Sequence, residues 1–395
     1  MSGYRAALNA PGIARVVAAV LVCYLLAGMV NLSLLLSAAH STGSYAVAGL
    51  VVGAYSTAVA VAAPIWGRVV DRRGPVWTLA VTSLSQTAAF AGYITAVLTQ
   101  APALVLVGAA ATAGSLSPPS SSIAKKVFAL TGDSDNRRAL FAISGLFAET
   151  VFVIGPLVVG GIVAVAPPVV AVSVTAAVSL IGVWWLRGAS ALRSIDENFE
   201  SAAGSVDRRS STLLRGIQAR ILAVVVLGAV AIGALQVSVV VRAGDLGVNA
   251  GLFVAALASG GVVASLVYGG ISLPGSLPAQ LAVCLGMYGV FILTLAAEPG
   301  VVLSVLLLVL AGAATGPADA MEALLIAEHT PVHGQSHAFA ALTTANWLGF
   351  AIGSAAAGAV VEISLLAGVG LAAGAALLAA LSLALSRGHP EIRAA

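Results

Sequence analysis

The sequence predicts an all-α membrane protein with twelve transmembrane helices in two pseudo-symmetric six-helix bundles. Three observations lead to this. Of 395 residues, 60% are hydrophobic and only 8% are charged, well beyond the apolar share of about 45 to 50% in a soluble domain. The apolar residues fall in runs of roughly twenty, the helical length that crosses a hydrocarbon core of about 30 Å, whereas a membrane barrel is built from short alternating segments. The third observation is a repeat. FAISGLFAETVFVIGPLVVGGIVAV from Phe141 aligns without gaps on FAALTTANWLGFAIGSAAAGAVVEI from Phe339, which sets Ile154 on Ile352, Gly155 on Gly353 and Gly160 on Gly358. The same offset sets Gly114 on Gly312 and Pro119 on Pro317. A parallel duplication of six helices suits two halves that rock about a central site.

The expected spans run 14–38, 45–66, 76–99, 102–124, 139–164 and 167–187, then 219–242, 250–272, 278–297, 299–326, 336–361 and 364–386. The first follows Arg5 and Arg15 and is too long for the apolar core of a signal peptide, so it is read as an uncleaved helix. Between the second and third lies GRVVDRRG, read as a short charged loop at the membrane surface. The fourth is interrupted by SPPSSS, Ser117 to Ser122, where proline breaks the helix and hydroxyls are at hand for the freed carbonyls. The fifth carries GPLVVGG and Glu149. Residues 1–187 thus form one unit and 219–395 a second, joined by a polar linker at 188–218. After the eighth span, YGGISLPGSLP carries no charge, so the second half lacks a counterpart to GRVVDRRG.

Charge placement sets orientation. Of 18 Lys and Arg, every one except Arg242 falls at the N-terminus, an even-numbered span exit, the linker or the C-terminus. The positive-inside rule puts these in the cytoplasm and requires an even number of spans. A net charge of +3 distributed in this way reflects topology and gives no indication of a nucleic acid partner. Cys23 and Cys284 lie inside apolar runs and read as packing residues.

Acids in apolar runs are functional candidates because an unpaired charge is costly at membrane depth. Glu149, Asp319 and Glu322 qualify. Glu149 sits ten residues into the fifth span, roughly 15 Å deep, with no Lys or Arg in the membrane to neutralise it. It reads either as a proton carrier or as a protonated packing residue. Asp319 and Glu322 share a face at i, i+3, and Glu322, nearer the span end, has the further option of reaching the interface. Mid-span polar residues Tyr24, Asn31, Tyr55, Gln236, Asn346 and Trp347 are candidate cavity residues. His329, His333 and His337 have helical metal-ligand spacing, but Pro331 and Gly334 interrupt it, so a solvated loop is expected. No cofactor motif, nucleophile constellation or nucleotide-binding loop is present, and the linker is too short for an ATPase domain.

Gly67, Asp71, Arg72, Arg73 and Gly74 resemble the loop between the second and third helices of the major facilitator superfamily, although Pro75 and Val76 replace its further basic residues. Gly155, Pro156, Gly160 and Gly161 resemble the helix-5 motif of that superfamily's antiporters, with three residues rather than two between the Gly-Pro and Gly-Gly pairs. The resemblance implies a monomeric secondary transporter of the inner (plasma) membrane that exports small organic molecules in exchange for protons. It gives Asp71 the role of a conformational lock against a helix of the other half. It also implies that helices 1, 4, 7 and 10 line the cavity, which favours Asn31, Gln236 and Asp319. A proton-coupled symporter of sugars or other metabolites fits the same fold, and a non-transporting sensor or scaffold is the remote alternative.

Overall fold

The computed structural model describes residues 13–129, 150–190, 192, 216–268, 274–330 and 335–386. The first half contains α1 (Ile13–Thr42), α2 (Tyr45–Arg73), α3 (Pro75–Leu98), α4 (Ala103–Ser115), α5 (Ser120–Ala129), α6 (Thr150–Val163) and α7 (Pro168–Arg187). The second contains α8 (Gly216–Asp245), α9 (Ala250–Tyr268), α10 (Leu277–Thr294), α11 (Val301–Thr315), α12 (Ala318–Glu328), α13 (Gln335–Val361) and α14 (Leu365–Ser386). Eleven spans among the described residues are long and apolar enough to cross a membrane, and α6 is the described part of the remaining expected run, the fifth, 139–164. Glu149 lies outside the described residues.

The GRVVDRRG stretch is helix rather than loop, a correction to the sequence reading. Nothing before Gly74 stops α2, because arginine is a good helix former, so Gly67, Asp71, Arg72 and Arg73 all belong to α2. Gly74 alone makes the turn. Its φ of 78° is left-handed, its N–H bonds to the Val70 carbonyl at 3.0 Å, and Pro75 opens α3 at the position where proline costs no hydrogen bond. Arg73 folds over the Trp77 ring at 4.6 Å. The Asp71 side chain lies outside the described residues.

The fourth and tenth spans are both broken, at Leu116–Pro119 and at Gly316–Pro317. Pro119 and Pro317, paired by the sequence repeat, each begin a new segment by accepting from Ile123 N and Met321 N, both at 3.1 Å. Trp66 Nε1 donates to the freed Ser115 carbonyl at 2.7 Å.

The matched glycines occupy equivalent places. Gly155 of α6 meets the α1 backbone at Gly28, and Gly353 of α13 meets the α8 backbone at Val230. Gly114 of α4 abuts Tyr55 of α2, while Gly312 of α11 abuts Leu257 of α9. In lipid, where water does not drive helices together, close approach at small residues supplies the packing. The repeat is therefore a repeat of contacts.

Three apolar clusters define the shape. At the end that carries the start of α1 and the linker, hereafter the linker end, each half has its own core. One is built around Val20, Leu79, Ile123 and Leu186, the other around Val225, Leu281, Met321 and Leu325. Toward the opposite end, hereafter the far end, one continuous cluster includes residues of both halves, among them Leu35, Val52, Val159, Leu235, Phe253 and Ala357. The halves are fused at the far end and have separate cores at the linker end.

Candidate functional site

Two seams close the far end. In the first, α2 crosses α13, with Gly49 against Ser354 and Gly358, and Gly358 against Tyr45. Ser44 caps α2 by accepting from Val47 N at 3.3 Å. The Ser44 hydroxyl donates to Glu362 Oε1 at 2.6 Å, and Ala46 N donates to the same oxygen at 3.0 Å. A carboxylate placed here satisfies an orphan helix N–H and complements the positive end of the helix dipole. In the second seam, Gly160 of α6 meets Gly251 of α9. Asn249 bridges them, donating through Nδ2 to the Gly160 carbonyl at 2.7 Å and accepting from Gly251 N at 2.9 Å. The two seams are pseudo-symmetric: each sets one of the repeat-paired glycines Gly160 and Gly358 on the first turns of a helix from the other half.

The GPLVVGG motif accordingly sits where two helices meet α6. Gly155 faces α1, the Pro156 carbonyl and Gly160 face Gly251, and Gly161 borders open space. Helix α6 runs through Pro156 unbroken.

The hydrogen bonds from Ser44 and Ala46 hold the exposed Glu362 carboxyl below the usual carboxylate range. A lowered value means that the latch is fully present above the ordinary pKa of about 4.3 and weakens only as pH falls through the lowered value. The ratio of labelling rates of a cysteine placed at the buried Ser354 in the Glu362→Gln and wild-type backgrounds, in which the thiol's own titration cancels, should thus be constant between about pH 8 and 6. Glu362→Gln should speed that labelling about two- to fivefold, the scale of an exposed charge interaction. Equal rates in the two proteins would remove Glu362 from the latch.

Asp319 stands in the first turn of α12, immediately after the break. Its side chain is exposed, within a helix of the tenth span. One turn on, Glu322 is 4% exposed, with Oε2 lacking any hydrogen-bond partner. It does not reach the interface: α12 turns it inward, toward Gly228 of α8. The two carboxyl-bearing residues stand one turn apart on the same helix.

The remaining candidates separate by placement. Asn31, Gln236, Asn346 and Trp347 are half-buried, and the Asn31 Oδ1 is enclosed without a partner. Tyr24 is half-buried against the linker-end core of the first half. Tyr55 is not on a cavity wall. It is 2% exposed, stacks on Phe90 with ring centroids 6.4 Å apart, and hydrogen-bonds to Ser117 and Gln86. Gln86 in turn binds the Ala113 carbonyl and Ser179, so this network ties α2, α3, α4 and α7 together. His329 hydrogen-bonds its own helix at Leu325 O, while His333 lies outside the described residues and the His337 side chain is not described. Among the described residues no three side chains form a metal-ligand group.

Sequence reasoning missed Ser44, Asn249 and Glu362. Serine and asparagine just before an apolar run are legible as helix caps, but their partners across the halves are not.

No curated protein matches the chain. Among solved structures it is similar to a peptide transporter POT in complex with sulfate, at 15% identity over 99% of both chains with a TM-score of 0.73. It is also similar to the xylose transporter XylE from E. coli in an inward open conformation, at 15% identity over 93% of this chain and 94% of that one, with a TM-score of 0.70. The human organic anion transporter MFSD10 (TETRAN) matches at 17% identity over 93% of this chain and 99% of that one, with a TM-score of 0.63. At these identities the likeness is one of fold. Residues 16–279 match the family model of the Major Facilitator Superfamily. With that match over more than half its length, the chain belongs to the Major Facilitator Superfamily, a family of membrane transporters rather than enzymes.

Proposed function

We propose that the protein is a proton-coupled secondary transporter that exports small organic molecules by alternating access. The observation that carries this reading is the core arrangement, with one shared cluster at the far end and two separate clusters at the linker end, together with an exposed acid inside a span. A carrier open toward the linker side has this form, and the basic residues make that side the cytoplasm. The units 1–187 and 219–395 rock about the far-end seams, with 188–218 as their cytoplasmic tether in the inner membrane. The protein acts as a monomer, with protons and a small molecule as its ligands. Asn31, Gln236, Asn346 and Trp347 contact substrate. Glu149, Asp319 and Glu322 exchange protons. Export is favoured over uptake by the helix-5 motif, whose Gly160 builds a far-end seam. Asp71 locks the linker end when that end closes.

Flux in proteoliposomes under an imposed proton gradient of either sign, over a compound panel, tests the reading. Export coupling predicts accumulation only when the gradient drives protons opposite to substrate. Accumulation with the gradient in the same direction instead establishes symport. Glu149→Gln should keep exchange and lose proton-driven accumulation, and Asp71→Asn should slow turnover in both modes. If Glu149→Gln accumulates substrate with the original pH dependence, Glu149 is a packing residue.

A further inference from the structure

A cavity lies inside the second half at its linker end. It has a volume of about 270 Å³ and is bounded by α8, α10, α12 and α14. Its walls are apolar, with Ala223, Leu227, Leu325 and Leu383 among them, and Arg220 and His329 contribute the cationic and hydrogen-bonding groups. Ligand pockets for drug-sized molecules run from about 300 to 1,000 Å³, so this one suits a single slender chain.

The polar residues are held in place. Gln218 Nε2 donates to the His329 carbonyl at 3.1 Å and to Thr330 Oγ1 at 2.9 Å, pinning the start of α8 to the end of α12. His329 Nδ1 lies 2.8 Å from the Leu325 carbonyl. That contact fixes Nδ1 as the protonated nitrogen and leaves Nε2 for another partner. Arg220 is exposed and forms no ion pair with any described residue. A guanidinium in this position matches the fork geometry of a phosphate.

We propose that this cavity holds one acyl chain of an anionic phospholipid from the linker-side leaflet, with the headgroup phosphate at Arg220 and His329. Basic pockets between transmembrane helices at the cytoplasmic surface select anionic headgroups. The tail gains little by leaving other lipid tails for an equally apolar wall, so selectivity resides in the headgroup. The inference rests on the protein lying in a bilayer and is independent of the direction or coupling of transport.

Native mass spectrometry of the detergent-purified full chain tests it, with dioleoylphosphatidylglycerol, dioleoylphosphatidylcholine, oleate and inorganic phosphate as probes. The wild type should retain one more phosphatidylglycerol than Arg220→Gln or Ala223→Trp, the first removing the charge and the second filling the cavity from an exposed position. Retention by Arg220→Gln should be about fivefold weaker, the factor for one basic residue near an anionic surface. Phosphatidylglycerol, but not phosphatidylcholine, should also raise the melting temperature of the wild type, a measurement that needs no variant to fold. Equal retention of the two phospholipids, or undiminished retention by either variant, overturns the proposal. So does oleate taking the site with the same variant dependence, which assigns it to a free fatty acid, or displacement of the lipid by inorganic phosphate.

Discussion

Replacing Asp319 with asparagine is expected to abolish accumulation of substrate against its gradient while leaving exchange of bound substrate in place. Asparagine keeps the size and the hydrogen bonding and removes only the ability to ionise. Asp319 is an acid within a membrane span whose side chain is exposed, so on the proposed reading it trades protons with the linker side in this state. Its place in the first turn of a half-helix sets it at the positive end of the helix dipole. Closing the linker end removes water, and desolvation then favours the neutral acid. On the proposed reading, that alternation links proton movement to the conformational cycle. Couplings between sites are typically on the order of 5- to 150-fold in affinity, and the loss of pH-dependent substrate affinity should be of that size. Glu322→Gln provides the contrast. Glu322 is buried against α8, so if it acts only through Asp319 its substitution should move the pH profile without ending accumulation. An Asp319→Asn protein that concentrates substrate with the wild-type pH profile would transfer the role to Glu149.

Gly358→Val is expected to disfavour closure of the far end and to hold the carrier open on that side. A Cβ at Gly358 would meet the Tyr45 carbonyl carbon's oxygen at 2.5 Å and the Gly49 Cα at 3.1 Å. Both are backbone atoms that cannot rotate away. Overpacking of this kind costs about 1 to 3 kcal/mol, a shift of roughly 5- to 150-fold between the two open states. Labelling of a cysteine at Ser354 by an impermeant maleimide, in a background lacking Cys23 and Cys284, should rise by that factor as transport falls. Gly161→Val serves as the control, because nothing lies near its side-chain position and its labelling rate should stay at the wild-type level. Unchanged labelling in Gly358→Val would mean that the seam yields without opening.

The sequence by itself determined the helices, because a bilayer enforces a simple condition: every backbone group must be satisfied within its own span, so span length and hydropathy fix the elements. The starts at Tyr45, Ala250 and Leu365 lie within a residue of those expected. It also determined the duplication, since Gly155 with Gly353 and Pro119 with Pro317 need only one offset, and it singled out Asp319 and Glu322 as costly. It misjudged GRVVDRRG, where charge suggested a loop but only Gly74 interrupts the helix. It could not tell that Tyr55 is core, because an aromatic hydroxyl satisfied by Ser117 and Gln86 and one left on a cavity wall have the same local sequence. Only the tertiary structure decided which glycines close the far end, that Asn249 and Glu362 latch it, and that Asp319 is open while Glu322 is enclosed. These facts depend on contacts between residues hundreds of positions apart, such as Ser44 with Glu362, and on which face of a broken helix is buried. Periodicity along a chain that is apolar on nearly every face carries no record of that choice.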